Sequence, residues 1–232
     1  MDPTVLLIAT LDTKEKEAAY LKRIIEAKGV KTLVMDTGVL SPPRKLTPDV
    51  RREEVAQAGG MPIDQLVATG NKGKCIDVMI AGAQTMAQKL FAAGKFTGVI
   101  SFGGAQGTNI GTAVMKNLPF GVPKIMISTV ASGTATFGPF VGTKDVMMMH
   151  SVVDVQGVNT LITRLFENAA AAICGMVKNN VGQIKDVKSQ NVIAMSMLGT
   201  TTPGALRAQQ LLEAEGYEVI AFHQNGTGGI AM

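Results

Sequence analysis

Gly98-Val99-Ile100-Ser101-Phe102-Gly103-Gly104-Ala105-Gln106-Gly107-Thr108 is a short, almost wholly apolar run. It breaks into glycines and then continues, as helix-compatible residues, through Lys116. An unbroken apolar run of this length predicts a strand covered on both faces, and the glycines supply the tight turn that sends the chain back along the sheet. The same grammar recurs on either side. Val5-Leu6-Leu7-Ile8-Ala9 predicts a first strand, and Ala18, Leu21, Ile24 and Ile25 give the helical spacing that follows it, with Gly29 as terminator. Asp12 is the expected cap of that helix, with Glu15 reaching back three positions later. Residues 32–35 predict a second strand ending in Asp36-Thr37-Gly38, and residues 41–62 read as an irregular, Pro-rich excursion with a short helix within 48–58. A long helix over 74–93, a fourth strand over 124–127, a fifth over 145–149 and a helix over 157–177 complete the pattern. Strands alternating with helices imply an α/β fold: a doubly wound parallel sheet, Rossmann-like, in the order 2-1-3-4-5.

This first domain is expected to run over residues 1–178. Residues 179–190 are polar, carry Asn-Asn, Gly and several Lys, and read as a linker. Over 191–232 the pattern restarts: a strand over 192–197, a helix from Thr202 to Glu215 and a strand over 218–222. Two strands and one helix are too little for an independent domain, so this segment is expected to be the incomplete start of a second α/β subdomain, truncated or completed by another chain.

Bulk properties narrow the classes. Of 232 residues 46% are apolar and 17% charged, which favours a packed soluble domain over disorder. The net charge of +4 comes from scattered Lys and Arg with no basic stripe or interleaved aromatics, so no nucleic-acid partner is expected. No apolar run in the sequence pattern approaches the length of a membrane helix, no signal peptide is visible, and a cytoplasmic location is expected. Cys75 and Cys174 have no metal-type spacing and read as buried thiols. Met147-Met148-Met149 reads as a buried strand, and His150 and His223 as polar strand-end residues.

In a doubly wound sheet, ligands sit at the carboxyl ends of the strands where the strand order reverses, here between the first and third strands. The loops leaving those strands are Thr10-Leu11-Asp12-Thr13-Lys14 and Gly103-Gly104-Ala105-Gln106-Gly107-Thr108. Successive glycines let backbone N–H groups converge on an anion, and a helix beginning near Thr108 adds its positive dipole end. Thr108 and Asn109 can donate hydrogen bonds, or a hydroxyl can ligate Mg²⁺, and Lys14 can neutralise phosphate charge. The common templates fail: Phe102 stands where Gly-x-Gly-x-x-Gly needs its first glycine, and around Gly73-Lys74 the P-loop pattern meets Ala68 and Cys75 instead of Gly and Ser or Thr. Ser128, Thr129, Ser132 and Gly133 after the fourth strand are a candidate second wall, and Asp36 a candidate ribose acceptor; a plain Ser/Gly loop and a turn-forming Asp-Thr-Gly are the ordinary alternatives. Gly226 to Ala231 matches Gly-x-Gly-x-x-Ala but follows the wrong strand.

Several segments in one order carry a resemblance: Ala9-Thr10-Leu11-Asp12-Thr13-Lys14, residues 99–108, Gly121-Val122-Pro123-Lys124, residues 127–133, Val141-Gly142-Thr143, Ser151-Val152-Val153-Asp154, residues 168–172 and residues 223–229. Together they resemble the ATP-binding domain family typified by the tomato mosaic virus resistance protein. The resemblance implies two tandem Rossmann-like subdomains with ATP in the first, Gly103, Gly104, Gly107 and Thr108 at the phosphates, and Thr10, Asp12, Thr129 and Ser132 nearby. The chain departs from that pattern at Ala105-Gln106, where relatives carry Ser-Gly, so that Gln106 crowds the phosphate loop or itself reaches the ligand. Three functions are therefore expected in competition: a module binding ATP or a related nucleotide; an enzyme acting on a phosphorylated or acyl substrate, with Asp12 as base or metal ligand; and a non-catalytic subunit of a homo-oligomer, whose open strand edges invite a second chain.

Overall fold

A computed structural model describes residues 2–132, 138–179, 191–224 and 226–232. The chain divides into two compact units, Met1–Gln183 and Ile184–Met232. In the first unit the order is β1 (Thr4–Ala9), α1 (Leu11–Glu26), β2 (Lys31–Asp36), α2 (Arg52–Ala58), α3 (Ile63–Ala68), α4 (Lys72–Ala92), β3 (Gly98–Gly103), α5 (Ala105–Asn117), β4 (Lys124–Ser128), α6 (Gly138–Val141), β5 (Met147–His150) and α7 (Thr160–Asn179). The five strands form one parallel sheet in the order β2-β1-β3-β4-β5, the doubly wound arrangement expected.

The continuous apolar strands follow from burial on both faces. Val5, Leu7, Ala9, Ile100, Phe102, Ile125 and Ile127 belong to a core shared with α1 and α7. Their neighbours Leu6, Ile8, Val99 and Met126 face a second core shared with α4 and α5. Alternate residues serve opposite cores, so no polar face is left to write an alternation into the sequence. Helix α7 is long and apolar enough, by length and composition, to cross a membrane, which the sequence pattern alone did not register. One face of it, Ile162, Phe166, Ala169, Ala170, Ile173, Cys174 and Val177, is buried in the first core, while Leu161 is exposed.

Some boundaries move, each for a physical reason. The fifth strand begins at Met147, not at residue 145, because the Asp145 carboxylate is drawn aside: it accepts from the Gly121 amide at 2.8 Å and from the fully buried Lys124 ammonium at 2.7 Å. The Lys124 ammonium also donates to the carbonyls of Pro119 and Val122, both at 2.8 Å, which satisfies a charge that burial would otherwise penalise heavily. The methionine run is not buried: β5 is an edge strand and Met147 is 47% exposed. Helix α7 starts at Thr160, not at residue 157, where the Asn159 side chain accepts from the amides of Leu161 and Ile162. The linker expected at 179–190 lies, from residue 180 on, outside the described residues.

The second unit is a parallel pair, β6 (Val192–Met197) and β7 (Glu218–His223), joined by a 3₁₀ turn (Gly199–Thr201) and α8 (Thr202–Ala214), with a final short helix α9 (Gly228–Ala231). Its strands are nowhere fully buried, and Leu206, Leu211, Tyr217 and Ile220 are exposed.

Helices α2 and α4 approach so closely that a Cβ at Gly82 would stand 1.8 Å from the Val55 carbonyl oxygen. Gly82→Ala must therefore push α2 away from α4, whose first turn supplies a wall of the site described below. We expect it to cost about 3 kcal/mol, the upper end for overpacking, despite the better helix propensity of alanine, as measured by urea denaturation.

Candidate functional site

The turns leaving β1 and β3 meet at the point where strand order reverses, and between them lies a cavity of about 640 Å³, within the usual range for ligand pockets. Thr10, Asp12, Thr13 and Lys14 line it from the first turn, and Gly103, Gly104, Ala105, Gln106 and Gly107 from the third. Three helices begin here: α1 at Leu11, α5 at Ala105 and α4 at Lys72.

Helix α5 starts three residues earlier than the sequence suggests, so much of the glycine cluster is the first turn of the helix. Its N-cap is Gly104, which has no side chain to offer, and the first intrahelical bond is the Thr108 amide to the Gly104 carbonyl at 2.9 Å. The amides of Ala105, Gln106 and Gly107 therefore lack intrahelical acceptors, and all three residues line the cavity. The glycines have separate causes. Gly103 has φ +152°, and a Cβ there would sit 3.2 Å from the Gly107 Cα, while a Cβ on Gly107 would sit 3.0 Å from the Phe102 carbonyl oxygen; both let strand and helix close on one another. At Gly104 an added Cβ meets only the Thr129 hydroxyl oxygen, at 3.7 Å.

Thr108 departs from its expected place. Its side chain is fully buried, its hydroxyl lies 2.7 Å from that of Ser128, and the pair ties α5 to β4 beneath the site. Ser128, expected in a second wall, is buried in this role and also accepts from the Val130 amide at 3.1 Å. The Thr129 amide donates to the Gly103 carbonyl at 3.2 Å, which brings Thr129 beside the glycine turn without placing it in the cavity lining. Ser132 is half-buried and also outside that lining, and Gly133 lies outside the described residues.

The expected capping box of α1 does not form. Thr10 takes the N-cap position, and both carboxylates reach out of the helix to the loop after β2. Asp12 accepts from the amides of Val39 and Leu40 at 2.8 and 2.9 Å through one oxygen and from the Thr13 hydroxyl at 3.3 Å through the other. Glu15 gathers the amides of Arg44, Lys45 and Leu46. Five loop amides outcompete two local ones, and helix α1 is kinked at Lys14. Asp36 is likewise absent from the cavity lining. It is fully buried, and its Oδ1 accepts from the Leu11 amide at 3.0 Å and the Gly38 amide at 2.8 Å, so that it locks β2 to the start of α1.

The rest of the lining was not anticipated as a site. Val39 and Leu40 come from the loop that Asp12 holds, Val67 from α3, Gly70 from the turn after it, and Lys72 and Cys75 from the start of α4, where Asn71 caps by accepting from the Lys74 amide at 3.0 Å. The stretch that fails the P-loop pattern thus supplies a wall of the cavity with a lysine in it. An Asn followed by Lys, Gly and Lys was the available signal. Among the described residues no group of three or more His, Cys, Asp or Glu side chains is placed to hold a metal ion.

The uncharacterised protein family UPF0261 matches the chain twice, with its N-terminal domain over residues 3–182 and its C-terminal domain over residues 190–232. The chain belongs to the UPF0261 family. It is 41% identical over 232 residues to a UPF0261 protein of Clostridium tetani, covering 100% of this chain and 56% of that one. It is 35% identical over 167 residues to the ToMV resistance protein Tm-1(GCR237) of Solanum lycopersicum, covering 69% of this chain and 22% of that one. The chain spans about half the length of the bacterial UPF0261 relatives it matches. Among solved structures it is similar to UDP-N-acetylglucosamine 2-epimerase from Rickettsia bellii, at 12% identity and a TM-score of 0.39, covering 100% of this chain and 64% of that one.

Burial, against the pull of the Gly38 and Leu11 amides, raises the Asp36 carboxyl of this UPF0261 chain to about 6, and the Asp12 carboxylate adds to the rise. A raised acid favours the folded state most below its unfolded value, near 4, and that advantage is lost as pH climbs through 6. Asp36→Asn keeps a carbonyl for both amides and removes the buried charge. We expect the variant to match the parent near pH 4 and to gain on it between pH 4 and 7, by at most about 3 kcal/mol, in urea unfolding followed across that range.

Proposed function

We propose that the first unit is a binding module for ATP or a related nucleotide. The observation that carries this reading is the convergence of unclaimed donors: three helix-terminal amides at Ala105, Gln106 and Gly107 open onto a cavity where two further helices begin and where Lys14 and Lys72 supply positive charge. A polyanion answers that arrangement better than a neutral ligand does. Val39, Leu40 and Val67, two of them exposed large apolar side chains, offer a surface for a base. The hydroxyls of Thr10 and Thr13, 3.4 Å apart, stand at the same rim and suit a hydrated Mg²⁺ arriving with the phosphates.

The hydrogen bonding of Asp12 favours binding over catalysis. One oxygen already holds two backbone amides, and the other faces the Thr13 hydroxyl, so this carboxylate serves as a strut for the loop and is poorly free to abstract a proton. The family relationship to tomato Tm-1 proteins supports nothing finer than kinship.

Calorimetric titration of the chain with ATP and Mg²⁺ should give saturable binding. Gly104→Val should weaken it at least about tenfold while leaving the circular dichroism and melting behaviour of the fold nearly unchanged, since a Cβ at Gly104 meets only the Thr129 hydroxyl oxygen, at an ordinary contact distance. The absence of binding by ATP, ADP, GTP or a dinucleotide at millimolar concentration would end this proposal.

A further inference from the structure

A second, smaller cavity of about 250 Å³ lies under the segment that follows β2, bounded by residues 42–48, the start of α2 and Asp36. Its walls hold Arg44, Lys45, Arg51 and Arg52 against the carboxylates of Asp36 and Glu53. The enclosure is built. Glu15 grips the amides of residues 44–46, the amides of Asp49 and Val50 both donate to the Val34 carbonyl at 2.9 and 3.0 Å, and three prolines stiffen the span. Arg52 is tied down: it donates to the Val39 carbonyl at 2.9 Å and pairs with Glu53 at 3.0 Å. Arg51 pairs with Glu54, outside the cavity. Among the described residues neither Arg44 nor Lys45 forms an ion pair, and it is their backbone amides, not their side chains, that Glu15 holds.

The floor poses a different demand. Asp36 uses Oδ1 for the amides of Leu11 and Gly38, whereas its Oδ2 is buried and has no hydrogen-bond partner among the described residues. A buried carboxylate oxygen without a donor is costly, and an entering donor relieves the cost. A bare anion would be repelled by that carboxylate. A simple cation or neutral alcohol would leave Arg44 and Lys45 unanswered. The fitting ligand is negative at one end and a hydroxyl donor at the other.

We propose that this cavity binds a small phosphate monoester bearing a free hydroxyl, such as a polyol or sugar phosphate, with the phosphate on Arg44 and Lys45 and the hydroxyl donated to Asp36 Oδ2. The excess of two positive charges in the walls suits a phosphate dianion, and a planar guanidinium group suits its oxygens. The site is separate from the nucleotide reading and stands or falls without it.

The test is made in the Gly104→Val protein, so that the larger cavity does not contribute. Glycerol 3-phosphate and methyl phosphate are titrated calorimetrically at pH 7.5. Glycerol 3-phosphate, which carries the hydroxyls, should bind roughly tenfold more tightly than methyl phosphate, the worth of one hydrogen bond to a charged acceptor. Asp36→Asn, which exchanges the charged acceptor for a neutral donor, should cut that preference at least about threefold. Arg44→Gln together with Lys45→Gln should weaken both ligands and leave folding intact, because the amides held by Glu15 remain. Equal affinity for the two compounds, an undiminished preference in Asp36→Asn, unchanged affinity in the Arg44 and Lys45 double variant, or no saturable heat from either compound would each overturn the proposal.

Discussion

A sheet whose strands all run one way delivers every strand-to-helix turn to the same rim. In this chain the turns after β1 and β3 emerge side by side because the strand order reverses between them, one crossover going to each face of the sheet. Helices leaving that rim turn their N-termini, and so their unpaired amides, toward a common point. The large cavity is a consequence of this geometry. The side chains that line it adjust its shape and charge, but the concentration of donors comes from the direction of the backbone.

What keeps the rim open is a set of carboxylates from α1 and β2. Asp36 fastens the start of α1 to the end of β2, while Asp12 and Glu15 reach across to the loop beyond β2 and hold five of its amides. A loop of this kind, rich in proline and unable to pair its own backbone, would otherwise leave those donors to solvent or collapse into the crevice. Held in place, it presents Val39 and Leu40 to the larger cavity and encloses the smaller one. Gly38 belongs to the same design. A Cβ there would lie 2.8 Å from the Asp12 carboxylate carbon and 3.0 Å from the Asp36 Oδ1, so the two acidic groups share a junction that admits no side chain.

Of the charged side chains buried among the described residues of this unit, Lys124 and Asp36 are fully enclosed, with opposite settlements. Lys124 is fully enclosed and fully answered, by one carboxylate and two carbonyls. Asp36 is fully enclosed and half answered, with one oxygen saturated and the other without a partner among the described residues. The first arrangement is what a structural ion pair requires. The second is the kind of imbalance that ligand sites carry, and it sits at the carboxyl end of a strand, where such sites gather.

Much of this was legible in the residues. Continuous apolar runs such as 5–9 and 98–102 announce strands buried on both faces, and their alternation with helical spacing implies the parallel sheet and its order, hence which turns share a rim. Thr10, Asp12, Thr13, Lys14 and residues 103–107 could be named as cavity residues because their positions follow from that topology alone. The partners of polar side chains could not be read in the same way. Asp12 and Glu15 had a local choice, the amides of their own helix, and a distant one, the loop 38–46, and only the folded chain brings the distant amides close enough to win. Thr108 likewise turns inward because α5 begins at Ala105 and rotates it toward Ser128, and Val67, Lys72 and Cys75 join the site only because α3 and α4 pack beside it. Periodicity and burial are local properties that a sequence carries openly. Hydrogen-bond partners many residues apart are chosen by proximity, and proximity exists only once the chain has folded.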